Sequence, residues 1–134
     1  MLLPKKIKHR KQHQRKFKRL TKRGDRLKFG EFGLKVIEPT WISSRQLEAA
    51  RRAMTRFVQR QGKIWIRIFP DAPVTRKGAE VPMGKGKGSV EFFVASVDPG
   101  RVIFEIDGIE EEMAREALRR AGDKLSAKSK IIKR

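Results

Sequence analysis

One segment of the chain combines residues that can hold phosphate groups. Residues 83–89 read MGKGKGS, in which three glycines alternate with Lys85 and Lys87. Glycine has no Cβ, so its backbone amide can approach a phosphate closely, and the neighbouring lysines neutralise negative charge. The pattern favours a loop that contacts phosphate, although a flexible lysine-rich loop without a ligand has the same composition.

The same segment does not match the motifs of nucleotide-binding enzymes. A P-loop requires Lys followed by Ser or Thr, whereas each lysine here is followed by glycine. The dinucleotide-binding pattern needs a helix after the glycines, and the residues from Val90 onward read as a strand. The chain has no Cys and only His9 and His13, which excludes thiol nucleophiles and leaves little material for a metal cluster. We therefore expect no enzymatic activity, no cofactor and no metal.

Positive charge is concentrated in the first part of the chain. The 134 residues contain 34 Lys and Arg against 15 Asp and Glu, for a net charge of +19. Residues 1–28 hold 13 of the basic residues and one acid, Asp25, for +12. They have too few apolar residues for a core, so we expect an arm that orders against a polyanion and releases counterions. A solvated tail, a nuclear address and an acidic membrane surface are the alternatives.

No targeting or membrane segment is recognised in this sequence. The positive charges near Met1 are not followed by an apolar stretch of signal-peptide length, and residues 1–28 contain no Ser, unlike typical organelle transit peptides. No run approaches the roughly 20 apolar residues that span a bilayer. We expect the protein to stay in the compartment in which it is made.

A helix is predicted between Ser44 and Gly62. Ser43 and Gln46 have the spacing of a capping box, and Gly62 is a typical helix stop. On a helical projection, one side collects Leu47, Ala50, Met54, Phe57 and Val58, and the opposite side collects Arg45, Arg52, Arg56 and Arg60. Guanidinium groups bind phosphate through paired hydrogen bonds, so the arginine side is a candidate for contact with a nucleic-acid backbone. A helix face that only meets water is the alternative.

Alternating apolar residues predict strands before and after this helix. Residues 26–38 read as bent strands with close backbone approaches at their glycines. Residues 63–69, KIWIRIF, alternate isoleucines with an aromatic second face. Trp65 and Phe69 lie on that face, where burial is the commoner outcome and stacking on nucleic-acid bases is the alternative.

A hairpin and a second helix are predicted in the last third of the chain. Residues 90–97 and 101–106 are rich in β-branched and aromatic residues and flank the turn sequence Asp-Pro-Gly, which predicts two paired strands. Three glutamates at 110–112 open a helix whose apolar side recurs every four residues, and Gly122 closes it. The final LSAKSKIIKR predicts a short strand with a basic edge.

Several blocks of the sequence follow one another in a fixed order. They are a basic start, FGEFGLK at 29–35, RQLEAARRAMTR at 45–56, QGKIWIRIFPD at 61–71, MGKGKG at 83–88 and PGRVIFEIDG at 99–108. In this order the chain resembles bacterial-type large-subunit ribosomal protein sixteen, the L-sixteen family, over essentially its whole length. The resemblance implies an α+β fold of the hammerhead type, with an antiparallel sheet, two helices and an extended basic N-terminal arm.

The resemblance also implies a role for each part of the chain. Residues 1–28 would be an rRNA-binding arm, and residues 29–134 a single domain with the Gly/Lys loop at 83–89. The rRNA contacts would be Lys5, Lys6, Lys8, Arg10, Lys11, Arg15, Lys16, Lys18, Arg19, Arg45, Arg52, Arg56 and Arg60. The loop residues near tRNA would be Met83, Gly84, Lys85, Gly86, Lys87 and Gly88. Pro82 stands where the family commonly has Arg, so we expect this loop to rely on its lysines and backbone amides.

The function that the resemblance implies is structural rather than catalytic. The protein would be a constituent of the large ribosomal subunit that helps to position tRNA near the aminoacyl-tRNA site and the peptidyl-transferase region. Its partners would be large-subunit rRNA, tRNA and neighbouring ribosomal proteins, with no membrane and no small-molecule substrate. The expected location is the cytoplasmic ribosome, with an organellar ribosome as the alternative. A nucleoid-type DNA-binding protein and a phosphoryl-transfer enzyme that uses the glycine loop are the rival functions.

Overall fold

The computed structural model describes residues 1–12, 20–21, 23–76, 84 and 86–134. The elements in these ranges are β1 (Phe32–Val36), β2 (Thr40–Ser43), α1 (Ser44–Phe57), β3 (Lys63–Ile66), β4 (Ala72–Arg76), β5 (Ser89–Val97), β6 (Val102–Asp107), α2 (Glu111–Asp123) and β7 (Ser129–Lys133). The predicted α+β class with two helices is therefore confirmed.

The strands form two sheets, and both are antiparallel as expected. The four-stranded sheet has the order β3-β6-β1-β7, and the three-stranded sheet has the order β2-β5-β4. The two helices pack against each other; α2 covers the four-stranded sheet, and α1 packs against β2 and β5 of the other. The shared core includes Leu34, Ile42, Leu47, Met54, Val97, Phe104 and Leu118. The helix pair thereby joins the two sheets into one folded unit.

The predicted hairpin between residues 90–97 and 101–106 is wrong. β5 pairs with β2 and β4, whereas β6 pairs with β3 and β1, so the two strands belong to different sheets. The turn itself is present, because Gly100 adopts φ +92°. Its amide donates to the Val36 carbonyl at 2.7 Å, and the Val36 amide donates to the Arg101 carbonyl at 3.0 Å. The chain crosses between the sheets at this turn because other strands occupy both edges of β5 and of β6.

Two strands of the three-stranded sheet follow or contain a proline. β2 begins directly after Pro39, and β4 contains Pro73. Both are edge strands of the three-stranded sheet, where a missing amide donor can face away from the ladder. β3 is shorter than predicted and ends at Ile66, and residues 26–31 form no strand.

The helix starts were predicted better than the helix ends. α1 begins at Ser44, and its capping box is present: the Gln46 amide donates to the Ser43 hydroxyl at 3.2 Å, and the Ser43 amide donates to Gln46 Oε1 at 3.0 Å. α1 ends at Phe57, before the expected stop at Gly62. None of the helices in the described ranges is long and apolar enough to cross a membrane.

Gly122 lies inside α2, so its predicted role as a helix stop is wrong. A Cβ at this position would lie 2.8 Å from the Ser129 hydroxyl oxygen. A larger residue here would require the Ser129 side chain to move, because β7 passes close to the helix. The helix continues for one more residue, to Asp123.

Candidate nucleic-acid interface

The arginine side of α1 is exposed. It comprises Arg45, Arg52, Arg56 and, just beyond the helix, Arg60. The last three line a shallow surface groove of about 470 Å³ together with Arg51, Thr55 and Gln59, and Arg45 in the first turn does not line it. Sequence reasoning missed Arg51, although its position three residues after Glu48 is a spacing at which helix side chains meet.

The only carboxylate on α1 is Glu48. Arg51 lies 2.5 Å from it and Arg52 lies 3.1 Å from it, and the hydrogen bond from Arg51 lowers the pKa of Glu48 to about 2. The carboxylate is therefore charged at neutral pH. Within the part of the chain that the structure describes, Arg45 and Arg56 make no ion pair. Their guanidinium groups remain available for an external anion.

The arginines of α2 are paired within their own helix. The ion pairs are Arg115–Glu111 at 3.3 Å, Arg119–Glu116 at 2.7 Å, Arg119–Asp123 at 3.0 Å and Arg120–Glu116 at 3.0 Å. The hydrogen bond from Arg119 lowers the pKa of Glu116 to about 2. Because each of these guanidinium groups already faces a carboxylate, α2 offers much less free positive charge than α1.

The basic arm is partly visible in the structure. Lys5, Lys6, Lys8, Arg10 and Lys11 are exposed. Arg15, Lys16, Lys18 and Arg19 lie outside the described residues. The rRNA contacts predicted for this arm, and its division from the domain after residue 28, stay predictions.

The glycine and lysine loop meets the arm. Gly84 and Gly86 both adopt φ +93°, with open space where a Cβ would be, and Lys87 is exposed. The Lys11 amine donates to the Lys87 carbonyl at 3.2 Å, and the Lys87 amine donates to the Gln12 carbonyl. Gly88 is partly buried; Pro82, Met83 and Lys85 lie outside the described residues. Two cationic segments that are far apart in the sequence therefore lie side by side.

Sequence reasoning missed the buried carboxylate that fastens the arm to the domain. Glu105 in β6 is fully buried, and its Oε1 accepts hydrogen bonds from the amides of Lys28, Phe29 and Gly30, each at 2.9 Å. Its Oε2 accepts a hydrogen bond from the Arg67 guanidinium. Burial raises the pKa of Glu105, but these donors outweigh burial and hold it below its ordinary value. A single acid inside the apolar run VIFEI was the available signal.

The aromatic residues near β3 are less buried than predicted. Phe69 is 46% exposed, and Trp65 is partly exposed. The Trp65 ring stacks on Phe29, with centroids 5.8 Å apart and planes 17° from parallel. The expectation of buried aromatics on this strand is wrong for Phe69, which follows the strand and lies outside the core.

Comparison with known families decides between the functions that these basic surfaces permit. The family model described as Ribosomal protein L16p/L10e matches residues 4–132. The chain belongs to this family. The L16p/L10e proteins are structural constituents of the large ribosomal subunit and not enzymes, so the predicted non-catalytic role in translation is confirmed.

Membership of the L16p/L10e family also identifies the main partners. It implies large-subunit rRNA and neighbouring ribosomal proteins. The rival functions, a free DNA-binding protein and a phosphoryl-transfer enzyme, do not fit this family. Among the described residues, no group of three or more His, Cys, Asp or Glu side chains is placed to hold a metal ion.

Proposed function

We propose that this large-subunit protein holds rRNA through the arginine side of α1 and the basic arm, and that its loop at 83–89 helps to seat tRNA. The observation that carries the proposal is the contrast between the helices. The arginines of α1 outnumber its single carboxylate, whereas every arginine of α2 is paired. Unpaired, exposed guanidinium groups gain most from phosphate, since they exchange counterions and water for bidentate hydrogen bonds.

The first turn of α1 adds to this positive surface. Ser43 and Gln46 cap the helix with neutral groups, and the first turn contains no acid. The exposed amides of a helix N-terminus carry a partial positive charge, which no carboxylate offsets here. The end of α1 that carries Arg45 is therefore suited to an adjacent phosphate.

The contact between arm and loop supports a joint role for these two segments. Gln12 of the arm and Lys87 of the loop line one cavity of about 240 Å³. The two lysines, Lys11 and Lys87, are held close by hydrogen bonds to backbone carbonyls, although their like charges repel. A phosphate beside them would remove that repulsion, so an RNA chain would stabilise the same arrangement.

Salt dependence tests the rRNA half of the proposal. The folded protein is titrated with large-subunit rRNA fragments at increasing salt. With six to ten phosphate contacts, duplex scaling predicts roughly a 10³- to 10⁵-fold loss of affinity between 50 and 200 mM salt. An affinity that salt leaves unchanged would contradict it. Co-sedimentation with large subunits through a high-salt wash, from separated cytoplasmic and organellar fractions, checks the association and our expectation of the cytoplasmic ribosome.

Lysine substitutions test the tRNA half of the proposal. Ribosomes that carry Lys85→Ala with Lys87→Ala are expected to bind tRNA at the aminoacyl-tRNA site several-fold more weakly, with a normal amount of the protein in the subunit. Lys124→Ala with Lys128→Ala removes the same charge from exposed positions after α2 and serves as the control. Unchanged tRNA affinity together with poor incorporation would assign the loop to assembly instead.

A further inference from the structure

A second groove lies away from the arginine groove of α1. Its volume is about 780 Å³, and it runs between the β3 region and β5. Trp65, Arg67 and Phe69 line one side, and Leu2 of the arm also contributes. It shares no lining residue with the groove on α1. None of the residues proposed to contact rRNA or tRNA lines this groove.

The groove presents flat aromatic surface to solvent. Phe69 and Phe29 are each 46% exposed, and Phe29 backs the Trp65 ring that lines the groove. Covering exposed aromatic surface is favourable in water, and a nucleobase can stack on any exposed aromatic face. β3 is also the edge of its sheet, and no further strand of the described ranges covers this side.

The aromatic pair is held rigidly by the buried carboxylate. Glu105 accepts the Phe29 amide and the Arg67 guanidinium, and Trp65 is its cross-strand neighbour in the register of β3 and β6. A Cβ on Gly30 would lie 2.7 Å from the Ile106 carbonyl oxygen, so the backbone after Phe29 is pressed against β6. A platform that is already ordered loses little conformational entropy when a ligand binds.

Charges of both signs line the groove, since two arginines and two aspartates contribute to it. Asp71 lines the groove, and its carboxylate repels phosphate but accepts hydrogen bonds from the amino groups of bases. The amine of Lys63 lies 5.3 Å from the centroid of the Trp65 ring. The amine of Lys28 lies 5.7 Å from the centroid of the Phe29 ring. Both lysines are long enough to turn toward a backbone that passes the rings.

We propose that this groove binds an unpaired RNA segment, with bases stacked on Trp65 and Phe69 and with its phosphates on Lys28 and Lys63. Bases that carry an amino group are favoured, because Asp71 accepts from them. The inference rests on the proposed rRNA-binding function and adds a site that reads unpaired bases rather than backbone charge.

Tryptophan fluorescence tests the stacking. The full-length protein and its Trp41→Phe and Trp65→Phe variants are titrated with short oligocytidine, oligouridine and inorganic polyphosphate. We expect oligocytidine to quench the wild type and Trp41→Phe but not Trp65→Phe, oligouridine to quench more weakly, and polyphosphate not to quench. The platform would be overturned if quenching were lost in Trp41→Phe instead of Trp65→Phe. It would also be overturned if polyphosphate quenched as strongly as oligocytidine. Salt-dependent RNA binding without any quenching would overturn only the platform, and absence of all RNA binding would overturn the proposed function as well.

Matched phenylalanine variants test the groove without the tryptophans. Phe69→Leu is expected to weaken oligocytidine binding about 5- to 20-fold, since a stacked base contributes strongly to single-strand affinity. Phe92→Leu on β5 is the control, because Phe92 is also exposed and does not line the groove; we expect a change of less than about twofold. Asp71→Asn is expected to reduce the preference for oligocytidine over oligouridine. Equal losses for the two phenylalanine variants, or an unchanged preference, would contradict the assignment.

Discussion

The two helices have almost the same length and the same amphipathic design, but opposite surface chemistry. α1 spans 14 residues with four arginines and one glutamate, and α2 spans 13 residues with three arginines and four acids. In α2 each arginine has a carboxylate three or four positions away, which is the spacing at which helix side chains meet. The number of arginines therefore says little about a phosphate-binding surface. What distinguishes α1 is that it has a single carboxylate for its four arginines.

The helices also differ in how their first turns are stabilised. α1 uses the side chains of Ser43 and Gln46, whereas α2 has no side-chain cap and places Glu111 and Glu112 in its first turn. Both arrangements stabilise a helix N-terminus. Only the first does so without adding negative charge. The neutral cap therefore keeps the first turn of α1 free of negative charge.

The largest expected effect comes from neutralising α1. Replacing Arg45, Arg56 and Arg60 together by Gln is expected to weaken rRNA binding about 100-fold near physiological salt, because about three counterion-releasing contacts are lost. The slope of log affinity against log salt is expected to become shallower by about 2 to 3. Filter binding at several salt concentrations measures both quantities.

The matched variant for this prediction is on α2. Changing Arg115, Arg119 and Arg120 to Gln removes the same charge, and we expect a loss of affinity below about fivefold, because these groups are already paired. Equal losses for the two triple variants would mean that only total charge matters, and the contrast between the helices would then have no functional meaning.

The reverse change is expected to make α2 resemble α1. Glu116→Gln removes the only carboxylate partner of Arg120 and one of the two partners of Arg119, which stays paired with Asp123. Non-specific RNA affinity is therefore expected to rise about fivefold. Glu112→Gln has the same effect on net charge, but no ion pair of Glu112 occurs within the described ranges, so we expect a rise below about twofold. Similar gains for the two variants, measured by the same titration, would rule out pairing as the cause.

A smaller effect is expected at the cap of α1. Ser43→Ala removes the hydroxyl that accepts the Gln46 amide, which is expected to destabilise the protein by about 1 kcal/mol. Urea unfolding measures this loss of stability, which should not diminish when salt is added. Glu111→Gln in α2 is also expected to destabilise the protein, but this destabilisation should disappear as salt is added, because it comes from the charge of the carboxylate. Ser89→Ala, at an exposed serine, controls for loss of a hydroxyl.

The smallest effect concerns the pH dependence of stability. Arg51 lowers the pKa of Glu48 from 4.5 to about 2, so the stabilisation from its ion pairs is present above pH 4.5 and is lost as the pH falls through about 2. Glu48→Gln is therefore expected to lower the Tm by about 1–3 °C at neutral pH, since the pairs are near the surface and screened, and to have no effect below pH 2. Thermal unfolding between neutral pH and pH 2 measures the difference in Tm between the wild type and the variant. A difference that does not change with pH would exclude the ion pairs as its source.

The parts of the fold that depend on nearby residues were predictable from the sequence. The capping box of α1, its apolar side and the strand β7 all follow from spacings within a few residues, and the structure has them. The arginine side of α1 belongs to the same class, because a helical projection places those residues on one face. Their phosphate contacts stay predictions.

The parts that depend on distant residues were not predictable. A strand, a turn and a strand favour a hairpin locally, but β2 and β4 occupy the edges of β5, and both lie earlier in the chain. Pro73 is tolerated in β4 because β4 is an edge strand, and the sequence does not show which strands are edges. The contact between Lys11 and Lys87 and the three amides on Glu105 join segments separated by about 75 residues. No local pattern predicts which distant partner a polar group will find.

The bonds to Glu105 also set an order of events during synthesis. The amides of Lys28, Phe29 and Gly30 leave the ribosome 75 to 77 residues before their acceptor. At about 5–20 residues per second, this delay is roughly 4–15 s. Throughout that interval these three amides lack their acceptor, and the backbone at residues 28–30 becomes fixed to Glu105 only when β6 emerges. Formation of these three bonds therefore reports that most of the domain has already been translated.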